Sequence, residues 1–311
     1  MSLPLSPHEH WTRAMAGDRM HHAWLLSGRA GMGKSRFAMQ AARALVNAGD
    51  GMAEHADIHR ITMGPKDDAN ARKAADSKPF DRARSIRVDQ VRALQRRLVT
   101  RPTLGARRAV IIDPVDNMET AAANALLKSL EEPPVGTFFL LVSHRPGGLL
   151  PTIRSRCRGL HFAPLSDKTL HAELRASHPE ADARAVDAAV IAARGSPGVA
   201  HKFLASDHMR LFATLQKLIA RGSSETTITC VLGARPKPEA IQQAFSLSRA
   251  LLSHAIRSTG REGQASAIDA HDKIVRLQAQ APTMNFDPGL LLNELGALLA
   301  QVGTASANVH A

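Results

Sequence analysis

The sequence predicts a parallel α/β domain followed by helical units, and three observations carry that prediction. A short apolar run, "AWLLS", passes through the glycine-rich "GRAGMGKS" into an amphipathic segment, which is the order strand, loop, helix. Apolar runs then alternate with helical spacing as far as about residue 163, the signature of a sheet covered on both faces. From Asp167 onward only helical spacing remains, interrupted at "RGSPG" (194–198), "GSS" (222–224), "ARPKP" (234–238) and "NFDPG" (285–289).

Taken in order, residues 6–20 have the spacing of a short amphipathic helix carrying Trp11, and "AWLLS" is a short strand ending at Gly28. "KSRFAMQAARALVNA" follows as a helix with Phe37, Ala41 and Leu45 on one face. Residues 64–87 are charged and nearly free of aliphatic side chains, so a long exposed loop is expected there. "VDQVRALQRRLVTR" resumes helical spacing, with Val88, Val91, Leu94 and Leu98 inward. "RRAVIID" and "TFFLLVS" have the character of buried parallel strands. Between them "METAAANALLKSLEEPP" is a helix stopped by Pro133 and Pro134, with Leu126, Leu127 and Leu130 as packing residues and Lys128 on its wet side. The tail "GTASANVHA" has the composition of a disordered end.

The chain has 311 residues and 44% hydrophobic content, enough for two or three compact units with real cores. Its formal charge of +12 favours an anionic partner such as nucleic acid, although solvated arginines on Ala-rich helices give the same balance. Cys157 and Cys230 are the only cysteines, too few for a disulfide framework or a thiolate zinc site. The opening residues lack a cationic start followed by an apolar core, and no apolar run approaches membrane-spanning length, so a cytoplasmic protein with no membrane partner is expected. The histidines show no pair at metal-ligand spacing on a helix face.

"GRAGMGKS" matches the phosphate-binding loop pattern G-x-x-x-x-G-K-[ST]. Gly28, Gly31 and Gly33 let backbone N–H groups close around phosphate oxygens, Lys34 adds a positive charge, and Ser35 is a Mg²⁺ ligand in such loops. Asp113 ends the strand "AVIID", where an acid holds the metal through water. The next position, where a carboxylate would orient the attacking water, is Pro114, and Asp116 lies beyond it. Nucleotide binding with little hydrolysis by this chain alone is therefore expected. Ser143 and His144, at the end of "FFLLVSH", stand where a polar side chain could sense a terminal phosphate or stabilise a turn.

"HAWLLSGRAGMGKS", "HADIHRI", "VDQVRAL", "RRAVIIDPVDNMETAAANALLKSLEEPP", "TFFLLVSHRPGGLLPTIRSRC" and "RGSPGVA" occur in an order that resembles bacterial clamp-loader subunits of the AAA+ superfamily, over about residues 8–205. Past that point the similarity is weaker and includes "NFDPGLLLNEL". The resemblance implies an AAA+ nucleotide-fold domain (1–165), a small helical lid (166–205) and a helical collar (206–311) that joins gamma/tau and delta subunits in a ring. It also implies indirect contact with the sliding clamp, a place at the nucleoid replisome, and primed DNA as the polymer served. ATP or ADP with Mg²⁺ is the implied ligand of the loop. Zinc is not expected, because the region Gly49–Ile61, which carries cysteines in the related motor subunit, has none. The motor subunit's acidic pair is likewise broken by Pro114, and Gly198 stands where its lid arginine would be. In "SRC", Arg156 matches the arginine that reaches into a neighbour's ATP site. Arg92, Arg96 and Arg97, with Arg101, Arg107 and Arg108 beyond, form the best basic cluster for DNA phosphates. With no Tyr and few Phe, base stacking is not expected. Two other readings stay open here: an ATP-hydrolysing motor subunit, and a basic nucleic-acid-binding module with a vestigial loop.

Overall fold

The computed structural model describes residues 6–17, 20–49, 55–222, 228–233, 235–258, 261–281 and 287–307. Two compact units emerge, Met1–Pro164 and Leu165–Ala311.

The first unit is a five-stranded sheet built from β1 (Ala23–Ser27), β2 (Ile58–Ile61), β3 (Arg108–Ile112), β4 (Thr137–Ser143) and β5 (Arg158–His161), in the order β2-β3-β4-β1-β5. Every pairing is parallel. Side chains that alternate along a strand face opposite layers, and here both layers are filled. Leu25, Val110, Ile112, Phe139 and Leu141 pack with Val91, Leu94 and Leu98 of α4 (Val88–Leu98) and Leu126 and Leu130 of α5 (Thr120–Glu131). Trp24, Leu26, Ala109, Ile111, Leu140 and Val142 pack with Trp11 of α1 (Pro7–Met15) and Phe37, Ala41 and Leu45 of α2 (Lys34–Leu45). At the centre of this second layer Trp11 meets Trp24 edge-on at 5.2 Å and Phe37 at 5.9 Å, and Phe37 meets Phe162 at 5.2 Å. A capping box starts α1, where Ser6 Oγ accepts from the Glu9 N–H while the Glu9 carboxylate accepts from the Ser6 N–H.

The segment 64–87 corrects an expectation. It contains α3 (Asp68–Ala75), capped by the Asp67 carboxylate accepting from the Asn70 N–H at 2.9 Å. A helix forms without aliphatics because Ala and Arg have high intrinsic propensity and a cap is present. The excursion is clasped at its base, where Lys66 donates to Asp81 and Ala83 to Gly64. Most of the segment is exposed as expected, but Ile86 near its far end is fully buried, and its backbone pairs with Asn117 and Glu119. The strand β2 carries no clear apolar run and is also missed by sequence pattern, since only Ile61 of its four residues is buried.

The second unit is helical: α7 (Asp167–Ser177), α8 (Ala183–Ala193), α9 (Pro197–Leu204), α10 (Met209–Arg221), α11 (Ile228–Leu232), α12 (Pro238–Ser258), α13 (Arg261–Gln280) and α14 (Pro288–Ala307). Ser166 and Asp182 cap α7 and α8, Pro197 opens α9, and Gly222 ends α10 in the left-handed conformation. One buried cluster runs from Leu170 to Val302. Where α14 crosses α10, a Cβ on Gly303 would lie 2.4 Å from the Gly222 nitrogen, so the absence of a side chain permits the approach. The helix continues to Ala307, so Gly303–Ala307 of the supposed disordered tail is helical, as its Ala-rich composition allows. Residues 308–311 lie outside the described residues. No helix among the described residues is long and apolar enough to cross a membrane.

Candidate nucleotide site and arginine positions

The loop from Gly28 to Ser35 leaves the C-terminal end of β1 and enters α2, the position in parallel α/β sheets where ligands bind. Gly28 has φ of +141°, and a Cβ there would sit 2.4 Å from the carbonyl oxygen of Phe162. Gly31 and Gly33 are also left-handed, and Gly33 caps α2 with no side-chain bond, leaving the first amides of the helix directed into the loop. Ser35 is exposed at this end.

Lys34 is 2% exposed and folds back on the loop, its Nζ donating to the carbonyls of Gly28 at 2.7 Å and Arg29 at 2.5 Å. Burial pushes its ammonium down to about 8, against the opposing pull of Asp116 and Asp113. The unfolded chain, with an ordinary lysine near 10.5, therefore binds more protons between about pH 8 and 10.5. Over that window the Lys34 contribution to stability rises with pH. The melting temperature of the wild type relative to Lys34→Met is expected to climb from pH 8 to pH 10. A flat difference would mean that the lysine is not desolvated.

The acids beside Lys34 are already engaged. Asp113, 8% exposed, accepts from Arg60 Nη2 of β2 at 3.0 Å. Asp116 accepts from Ser143 Oγ at 2.7 Å, from the His144 N–H, and from the Arg145 N–H at 3.3 Å. The two candidate sensor residues thus bind Asp116 through the Ser143 hydroxyl and the His144 backbone. Burial and the nearby Lys34 charge push the His144 imidazole below its ordinary pKa, and its Nδ1 has no hydrogen-bond partner among the described residues. A Mg²⁺ ion wants open oxygen ligands in octahedral array. With Asp113 paired to a guanidinium and both Asp116 oxygens already accepting hydrogen bonds, this acid set does not fit one. Among the described residues no group of three or more His, Cys, Asp or Glu side chains is placed to hold a metal ion.

Arg156 lies elsewhere. It ends α6 (Pro151–Ser155) and precedes β5, so it stands at the N-terminal edge of a sheet whose C-terminal edge carries the phosphate loop. At about 3.3 Å per residue, four-residue β5 alone separates those edges by about 13 Å. Its Nη2 contacts Glu131 Oε1 at 2.6 Å and its Nη1 donates to the Thr152 carbonyl at 2.9 Å, with about a third of the side chain exposed. Cys157 packs against the core, and burial lifts its thiol to about 12, which removes it as a nucleophile.

The basic cluster divides. Arg92, Arg96, Arg97, Arg101 and Arg107 are exposed, and Arg107 lies over the Phe138 ring at 5.8 Å. Arg108, expected to touch DNA phosphates, is 2% exposed. It donates through Nη1 to the Arg97 carbonyl at 3.2 Å and through Nη2 to the Arg101 carbonyl at 2.7 Å. Its charge also acts on buried Asp57, whose carboxyl burial would raise but which the N–H groups of Thr103 and Leu104, with Arg108, hold below its ordinary value. Arg108 is a core residue because it begins a strand whose every position is buried. Two contacts around the candidate site were not legible: that of Arg60, a charge inside a four-residue strand, and that of Asp116 as acceptor for the end of β4. The guanidinium in "IHRI", unusual inside a strand, was the available signal for the first.

A parallel sheet in this order, with a glycine-rich phosphate loop at the end of β1 and helices after the sheet, defines a P-loop domain of the AAA+ class. A family model described as "DNA polymerase III, delta subunit" matches residues 6–166, and the chain belongs to that family. The DNA polymerase III subunit delta' of Pseudomonas aeruginosa is 36% identical over 198 residues, covering 62% of this chain and 58% of that protein. The DNA polymerase III subunit gamma/tau of Mycobacterium tuberculosis H37Rv is 35% identical over 163 residues, covering 52% of this chain and 28% of that one. The alignments therefore span little more than half of the first relative's length and much less of the second's. The crystal structure of a gamma subunit-related protein from Thermotoga maritima superposes with a TM-score of 0.52 at 18% identity, covering 96% of this chain and all of that one, a likeness of fold.

Proposed function

We propose that this chain serves as the delta-prime subunit of a bacterial replicative clamp loader, a ring member that burns little or no ATP itself and completes the ATP site of a neighbour through Arg156. The observation that carries the reading is the placement of Arg156 at the sheet edge opposite its own phosphate loop, out of reach of a nucleotide held there. Such an arginine can act on a phosphate only in another subunit. Pro114 stands where a carboxylate would orient the attacking water, and Asp116 is held by Ser143 Oγ and the N–H groups of His144 and Arg145. The loop then holds ATP or ADP as a structural ligand.

In this reading residues 166–205 act as the lid and 206–311 as the collar, gamma/tau and delta are the direct partners, and the sliding clamp is met indirectly. Exposed Arg101 and Arg107 are the phosphate contacts for primed DNA at a nucleoid-associated, cytoplasmic replisome. The test is reconstitution with gamma/tau and delta. ATP turnover stimulated by clamp and primed DNA is expected only when this chain is added, while the chain alone hydrolyses no more than its Lys34→Ala variant. Turnover by the chain alone, abolished in Lys34→Ala, would instead identify a motor subunit. Tight, salt-sensitive DNA binding without assembly would identify a nucleic-acid module.

A further inference from the structure

We propose that Arg60 is the built-in counterion of the nucleotide site, paired with the strand-end acid that serves a divalent cation in hydrolysing P-loop proteins, so that this chain takes a nucleoside di- or triphosphate without Mg²⁺. The inference rests on the reading that the loop binds nucleotide, and goes beyond it by naming the ionic form bound and the residue responsible.

Arg60 lies on β2 opposite Ile111 of β3, two residues before Asp113, and its guanidinium reaches along the strand end to the Asp113 carboxylate at 3.0 Å. The carboxylate is 8% exposed while the arginine, on an edge strand, is 49% exposed. The cation therefore remains open to solvent on the side away from its partner. Around the acid pair stand Lys34, Arg60 and Arg145 against Asp113 and Asp116, an excess of one positive charge, and Asp116 is further held by Ser143 Oγ and the N–H groups of His144 and Arg145. His144 adds no positive charge at neutral pH, because burial and Lys34 disfavour its protonation.

In a hydrolysing site the strand-end acid would repel bare phosphate, and the metal both screens that repulsion and bridges the phosphate oxygens. Here the arginine already screens it. What remains to attract phosphate is the ring of loop amides and the N-terminus of α2, which require no metal. Removing Arg60 leaves Asp113 as a bare, nearly buried anion beside the phosphates, and only then does a divalent cation become useful.

The experiment is calorimetric titration of ADP into the full chain, with Mg²⁺ and with EDTA, for wild type, Arg60→Ala and Arg60→Lys, with circular dichroism to establish equal folding. Wild type is expected to bind within about twofold in the two buffers. Arg60→Ala is expected to bind about tenfold more weakly in EDTA and to recover in Mg²⁺, and Arg60→Lys to behave as wild type. A tenfold loss for wild type in EDTA overturns the proposal and leaves the nucleotide reading standing. So does an Arg60→Ala variant that is indifferent to Mg²⁺. Absence of ADP binding by wild type in both buffers overturns the nucleotide reading and this inference together.

Discussion

In the reconstituted assembly, Arg156→Ala is expected to lower ATP hydrolysis at the neighbouring subunit's site by about 10³, the low end of what a guanidinium contributes to phosphoryl transfer. Stability and assembly should be unchanged. The resting partner of Arg156, Glu131, is itself half exposed, and an ion pair so placed contributes about 0–1 kcal/mol, so exchanging it for a phosphate is easy. The remaining bonds, to the Thr152 carbonyl and Ser155 Oγ, close the last turn of a five-residue helix and are replaceable by water. Arg156→Lys should restore little, because an ammonium cannot present two donors to a planar set of oxygens. Single-turnover hydrolysis by assemblies shown to be equally complete is the measurement. An unchanged rate would leave the Glu131 pair as the whole role of the residue.

The second large effect is on folding. Arg108→Ala should destabilise the first unit by about 3 kcal/mol, the scale for leaving buried carbonyls without their charged donor, whereas Arg107→Ala should stay within about 0.5 kcal/mol. Arg108 ties together the carbonyls of Arg97 and Arg101 and offsets the buried Asp57 charge, three groups that lose their cation at once. Arg107 touches solvent and the face of Phe138. Urea denaturation followed by circular dichroism measures both. In DNA titrations at varied salt, the Arg107 variant is the one expected to lose about one phosphate's worth of slope. A stable Arg108 variant with weakened DNA binding would return that arginine to the surface cluster.

These two arginines mark where sequence stops being informative. Strands such as "AVIID" and "TFFLLVS" were legible because buried parallel strands are continuously apolar, and the phosphate loop because its glycines have a backbone reason to be there. Arg107 and Arg108 are adjacent in sequence and alike in chemistry, yet β3 begins at Arg108 and is buried at every position, so Arg107 stays outside the sheet, and no local pattern marks where that strand starts. The β2 strand escaped notice for a related reason: an edge strand of four residues needs only one buried side chain. The pairing of Arg60 with Asp113 spans 53 positions and depends on a register that no local pattern carries. Asp116 stands past a proline with no local sign of its partners, because its engagement by Ser143 comes from the end of a strand 27 residues on. In the segment 64–87, charge concealed both a capped helix and the burial of Ile86.

The edge-on aromatic cluster has an experimental corollary. The chain has two tryptophans and no tyrosine, and both indoles, Trp11 and Trp24, lie in that cluster against the helix that follows the phosphate loop. Intrinsic fluorescence is consequently a private reporter of the first unit, silent about α7 to α14, whereas far-ultraviolet dichroism is weighted toward the helical unit. Melting curves recorded by the two optical signals will coincide only if the units unfold together. Any gap between them reads directly as the difference in their separate stabilities, with no label or truncation required.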